Sequence, residues 1–312
     1  MILRGIFIFI LSILSVHQIK GWGFHAHKLI NKTAVFSLPP ELAAFYKRHI
    51  DHIESLAIQA DQRRYVSETE AMCHYLDADH YGEEPSKIIP KDWFDAISIY
   101  GKDTLKTYGI LPWHILETQK KLEKAFKEKN VKQIIHLSAD LGHYMADASV
   151  PLHTTENYNG QLSNQHGIHA LWESRLPELF STEYNLYTGK VKYWNNPKHN
   201  IWETFFHSFA QKDSVLFLEQ KITDRFPNDQ KHHFEKRGNA TQKVYSYEFS
   251  DAYHNSLDHM VERNMKIAIK SIASLWYTAW INAGSPKLDN LDYEKTKTTY
   301  LPQKMTKGRQ HE

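Results

Sequence analysis

Histidine and carboxylate residues recur at helical spacing in several stretches of this chain. In HLSADLGHYMADASVPLH, residues 136–153, His143 and Asp147 stand four apart, so on a helix both project from one face and could share a metal ion. Pro151 ends that helix and leaves His153 just past the turn, within reach of a neighbouring metal. QHGIHALWESR, residues 165–175, repeats the spacing with His169 and Glu173, and His166 lies a turn earlier. CHYLDADHY, residues 73–81, crowds His74, Asp77, Asp79 and His80 into a short segment. IQADQRRY, residues 58–65, places Arg63 and Arg64 just behind Asp61, and WGFHAH, residues 22–27, holds His25 and His27. Imidazole nitrogen and carboxylate oxygen together suit zinc. Each pair also has an ordinary reading as a helical hydrogen bond. His136 and Asp140, the same pair earlier in the same stretch, show how cheaply the pattern arises.

The elements that must position these groups are helices. Apolar residues recur with a period near 3.6, and alternating strand patterns are scarce. A first helix is expected from about His25 to Phe36, stopping before Pro39-Pro40. A second opens at Pro40-Glu41 and runs to about Ala57. Further helices are expected over 92–107, 113–129, 131–149 and 167–178, and within 199–222 and 249–283. IAIKSIASLWYTAWINAG has the near-continuous apolar character of a buried helix, with Gly284 and Pro286 to end it. Beyond Pro286 the chain is polar and aperiodic and reads as a loose tail to Glu312. The simplest organisation is therefore all-α: a helical domain over 22–285 between a leader, residues 1–21, and a tail, residues 286–312.

The leader reads as a secretory signal. Arg4 supplies the positive end, and Ile6 to Val16 form an apolar run too short for the roughly 20 residues a bilayer requires. Gly21 is the small residue expected before a cleavage point, which makes Trp22 the new N-terminus of a secreted or periplasmic protein with no membrane-spanning segment. A free α-amine and its carbonyl can chelate a metal, and His27 can complete that site. The only cysteine is Cys73, so no disulfide forms within the chain, and bound metal is a natural source of rigidity. Two of the 38 Lys and Arg fall in the leader and no Asp or Glu does, so the rest balances the 36 acidic residues. Such a chain has no strong non-specific attraction for polyanions. The sequence has no H-E-x-x-H and no G-x-S-x-G, which removes the commonest metalloprotease and serine-hydrolase readings.

Taken in order from Trp22 to Glu173, these stretches resemble the zinc-dependent phospholipase C family and the related single-strand-specific zinc nucleases. The segment SLWYTAWINAG resembles the closing helix of the same group. The resemblance implies one multi-helix domain with a trinuclear zinc site between helices. Asp61, His74, His143 and Asp147 would hold the first zinc, and His153, His169 and Glu173 the second. The amine and carbonyl of Trp22 would hold the third, with His27 and a bridging Asp147. It implies hydrolysis of a phosphodiester by a zinc-activated hydroxide. Asp61 would orient or deprotonate the attacking water, and Arg64 could clamp a phosphate oxygen.

The features that bear on the substrate divide. Glu173 rather than Asp at the last ligand position looks like the phospholipases. So do the 15 residues between His153 and His169, the H-x-x-D-x-D of residues 74–79, and the lack of disulfides. The Trp22-to-His27 spacing and Arg64, three residues after Asp61, look like the nucleases, where a stacking aromatic such as Trp93, Tyr158 or Trp172 would receive a base. The expectation is a monomeric phospholipase C acting on phospholipid with transient membrane-surface contact. The alternatives are a nuclease acting on single-stranded nucleic acid and leaving 5′-phosphates, and a non-catalytic zinc-stabilised binding protein.

Overall fold

A computed structural model describes residues 23–67, 69–237, 240–289, 291 and 293. The expected leader, and Trp22 with the amine it would present, lie outside the described residues. The described residues begin with α1 (Phe24–Ala34), α2 (Pro40–Arg48), α3 (Ile50–Leu56) and α4 (Gln59–Arg63). Three short helices follow, α5 (Pro85–Ile88), α6 (Trp93–Tyr100) and α7 (Lys102–Tyr108), and then the long pair α8 (Leu111–Lys127) and α9 (Val131–Asp147). Next come α10 (Ile168–Ala170), α11 (Leu176–Phe180), α12 (Pro197–Phe209) and α13 (Lys212–Thr223). A hairpin of β1 (His232–Arg237) and β2 (Ala240–Tyr245) leads to α14 (Tyr247–Ser256) and α15 (Met260–Asn282). The fold is thus mainly helical, with one antiparallel pair that the sequence did not announce. None of the described helices is long and apolar enough to cross a membrane.

Local chemistry explains where expected helices break. The expected 40–57 helix divides at His49, whose φ of −116° and ψ of 20° leave the helical basin. Gly101, at a φ of 78°, separates α6 from α7, where one helix was expected. Asp258 and His259 both take positive φ and turn α14 into α15. Asn130 caps α9 by accepting from Gln133 N, relieving one of the unpaired donors at a helix start.

Helices α1, α8, α9 and α15 pack together around the larger of two apolar clusters. At its centre Trp276 is fully buried, stacked on Tyr46 at 4.7 Å, and donates its indole N–H to the Ser138 carbonyl. Burying a side chain of that size stabilises by roughly 2–3 kcal/mol, and the bond satisfies its one polar group. A smaller cluster joins Ala96 of α6, Leu105 of α7, Trp113 of α8 and Trp202 and Phe205 of α12. Cys73 belongs to the larger cluster and Leu76 to the smaller, so the segment between them is fixed from both sides. The loose tail is not loose at its start. Leu288 is buried in the larger cluster, and its carbonyl accepts from Arg48.

Candidate metal centre

The eight described side chains expected as ligands come together in the interior. His27 projects from α1, Asp61 from α4, and His74 from the end of the short 3₁₀ turn at Ala71–Cys73. His143 and Asp147 share one face of α9, and His153 follows on a 3₁₀ turn over Pro151–Thr154. His169 lies on α10, and Glu173 on a single π-helical turn, Leu171–Arg175, where a regular helix was expected. Such wide turns are frequent at functional sites. None of the eight exceeds 4% exposure.

Close approach of backbones brings them together. At Gly142 any side chain would collide with the Asn31 amide, so α1 and α9 pack there without an intervening group and His27 reaches Asp147. Nε2 of His27 lies 3.4 Å from Asp147 Oδ1. The other Asp147 oxygen lies 2.9 Å from His74 Nδ1 and 3.4 Å from His143 Nε2, and those two nitrogens are 3.1 Å apart. Oδ1 of Asp61 stands 3.7 Å from His143 Nε2 and 3.8 Å from His74 Nδ1. In the second set, the two Glu173 oxygens stand 3.1 Å from His153 Nε2 and from His169 Nε2. The sets adjoin, since His153 Nε2 is 4.0 Å from Asp147 Oδ1.

Three groups could each hold a metal ion: His27, Asp61 and His143; His74, His143 and Asp147; and His153, His169 and Glu173. The residues present fit such an ion. His27 has both ring nitrogens buried without a hydrogen-bond partner, and Asp61 Oδ2, Asp147 Oδ1, His169 Nε2 and Glu173 Oε1 are likewise unpartnered. A buried polar atom without a partner costs about 1–3 kcal/mol. Several of them converging as lone-pair donors on shared points mark a place for a cation.

The protonation of the metal-free cluster reflects the same crowding. Burial pushes His27 down to about 4, helped by the neighbouring His143, whose ring stacks on it at 3.8 Å. Burial also takes His169 down to about 4 and Glu173 up to about 8. For His143 burial acts downward, but the Asp147 and Asp61 carboxylates outweigh it and hold it at about 9. Burial would raise Asp147, yet His143 and His153 hold it well below the usual carboxylate range.

Nearby candidates from the sequence divide. Arg64 lies 3.5 Å from Asp61 and keeps partial exposure. His25 is exposed and meets Ser181 instead of the cluster, and His166 is exposed. Asp79 accepts from the Thr155 hydroxyl, and His80 pairs with Glu156, so His74 alone of its segment enters the centre. Trp172 is fully buried in the core and cannot receive a base, and Trp93 packs against Trp113. Tyr158 stands edge-on to His169 at 5.8 Å, and its carbonyl accepts from that ring. The backbone carbonyls of Ala57, His74 and Tyr158, which orient three of the histidines, carry no sequence signal. No protein-family model and no curated protein sequence matches this chain.

Proposed function

We propose that the chain is a secreted, zinc-dependent hydrolase of phosphodiester bonds, acting first on phospholipid headgroups in the manner of a phospholipase C. The observation that carries this reading is the convergence of eight buried nitrogen and carboxylate donors, singled out from five separated stretches of sequence. Asp61, His74, His143 and Asp147 would hold one zinc, and His153, His169 and Glu173 a second. His27 with Asp147 and the Trp22 terminus would hold a third. Bound zinc supplies Lewis acidity toward phosphate oxygen and acidifies water at neutral pH.

The chain's own groups do the rest. Asp61 Oδ2 is buried without a partner and is free to take a proton from an attacking water. Arg64, beside Asp61 and partly exposed, presents a guanidinium that matches a non-bridging phosphate oxygen. The packed helices around the centre exclude bulk solvent, which strengthens each of these interactions.

A second reading, a single-strand-specific nuclease, is favoured by Arg64 at Asp61 and by the Tyr158 ring beside His169. The decisive experiment offers the mature protein phosphatidylcholine and single-stranded DNA, with metal content determined on the same sample. About three zinc ions with release of phosphocholine is the expected result. Preferential DNA cleavage selects the nuclease. Bound zinc with neither activity leaves a binding protein, and a preparation that takes up no zinc removes the proposal.

A further inference from the structure

Four of the five histidines of the centre are oriented, and in two ways. His143 directs Nδ1 to the Ala57 carbonyl at 2.8 Å, His153 to the His74 carbonyl at 2.6 Å, and His169 to the Tyr158 carbonyl at 3.1 Å. In each of the three, Nε2 is left to face the carboxylates. His74 is turned the other way. Its Nδ1 faces Asp147, and its Nε2 points out of the cluster toward Glu70 Oε1, 3.5 Å away. That separation is long for a hydrogen bond, but among the described residues no other acceptor serves this buried nitrogen.

Glu70 stands four residues before His74, next to the 3₁₀ turn, and is itself buried. Its carboxylate is fixed from two elements. Arg63 of α4 donates to both oxygens at 3.2 Å, and the Tyr144 hydroxyl of α9 donates to Oε1. Arg63 is anchored in turn by Asp140 at 3.1 Å. A bidentate guanidinium and a phenol hydroxyl thus hold this buried carboxylate in place behind His74.

We propose that Glu70 is a positioning residue for the metal centre: fixed by Arg63 and Tyr144, its carboxylate accepts from Nε2–H of His74, which keeps the proton on Nε2 and leaves Nδ1 free to face the metal. A carboxylate behind a ligating imidazole fixes its tautomer and raises its basicity, and losing such a partner typically weakens metal binding 10- to 100-fold. The carbonyl-backed histidines receive orientation from a neutral acceptor, without that charge. This inference rests on the reading of the eight residues as metal ligands.

The test compares the full-length mature protein with Glu70→Gln and Glu70→Ala. Zinc retention is measured against a competing chelator, and the protonated His74 nitrogen is identified by NMR in the metal-free protein at alkaline pH. We expect the His74 proton on Nε2 in the parent, about 10- to 100-fold weaker zinc retention in Glu70→Ala, and a smaller loss in Glu70→Gln, which keeps an acceptor without the charge. Equal zinc retention in all three proteins overturns the proposal. So does a parent His74 protonated on Nδ1. If the alanine variant does not fold, the parent tautomer and the glutamine variant still decide. If the parent holds no zinc, the metal reading falls, and the His74 tautomer alone decides the role of Glu70.

Discussion

Helix α9 carries the same residue pair twice, and the two copies have different fates. His143 and Asp147 are fully buried and meet donors from α1, α4 and the His74 segment. His136 and Asp140, seven residues earlier and so on nearly the same face, separate. His136 bonds the Tyr293 hydroxyl at 2.9 Å, and Asp140 turns to Arg63. Spacing on one helix therefore supplies a shared face and nothing more. What converts a face into a centre is the arrival of further lone-pair donors from other elements. Asp140 meets a guanidinium; Asp147 meets four histidines within 4.0 Å.

The largest effect that would sharpen this contrast is substitution of the shared carboxylate. Asp147→Asn touches every histidine group and should abolish zinc retention and hydrolysis well beyond the roughly 100-fold cost of losing an outer partner. Asp140→Asn should leave most of both. Equal losses in the two variants would break the distinction.

Next comes removal of zinc itself. At a free concentration 100 times its dissociation constant, a bound ion stabilises the native state by about 2.7 kcal/mol per site. Chelation should therefore lower the melting temperature of the parent and of His136→Ala alike, and leave Asp147→Asn unmoved.

The pH dependence is a smaller effect with a definite sign. In the metal-free protein Glu173 is raised from 4.5 to about 8, and His143 from 6.5 to about 9. Both folded values lie above the unfolded ones. Each contribution is thus complete below the unfolded pKa and is lost as pH rises through the folded one, a window from about pH 4.5 to about 9. Zinc held as proposed would compete with these protons, so the gain in melting temperature on adding zinc should be greater at about pH 8 than at about pH 6. His136 shifts the opposite way, lowered chiefly by burial, so its contribution is lost as pH falls. A zinc-induced gain independent of pH would contradict the assignment of Glu173 and His143.

Smallest is His136→Ala, which removes one hydrogen bond to Tyr293 and should cost about 1 kcal/mol in denaturant unfolding without changing zinc content.

The residues that converge in the candidate centre were legible because each stretch announces itself locally. A His and an acid four apart, a histidine just past Pro151 and an acid beside two arginines can all be read within a dozen residues. Glu70 sits at the same four-residue spacing from His74, but Thr69-Glu70 precedes only a 3₁₀ turn and no helical period flags it. Its partners Arg63 and Tyr144 are joined by tertiary packing alone. The hairpin went unread because HHFEKR and ATQKVY have no apolar alternation. The breaks at His49 and at Asp258–His259 fall where ordinary residues adopt backbone angles that their types do not require. Leu288 is a single apolar residue in a polar stretch, too little to signal that the chain folds back.

The segments at 74 and 153 are stitched together reciprocally: His153 Nδ1 meets the His74 carbonyl, and the Leu76 amide donates to the His153 carbonyl at 3.0 Å. Each set thus borrows its scaffold from the other. Ordering the first set also orders the strand of chain that presents His153, and the reverse holds equally. Uptake should accordingly be sigmoidal, with half-filled molecules scarce at intermediate metal supply and chelators stripping the ions together instead of one by one.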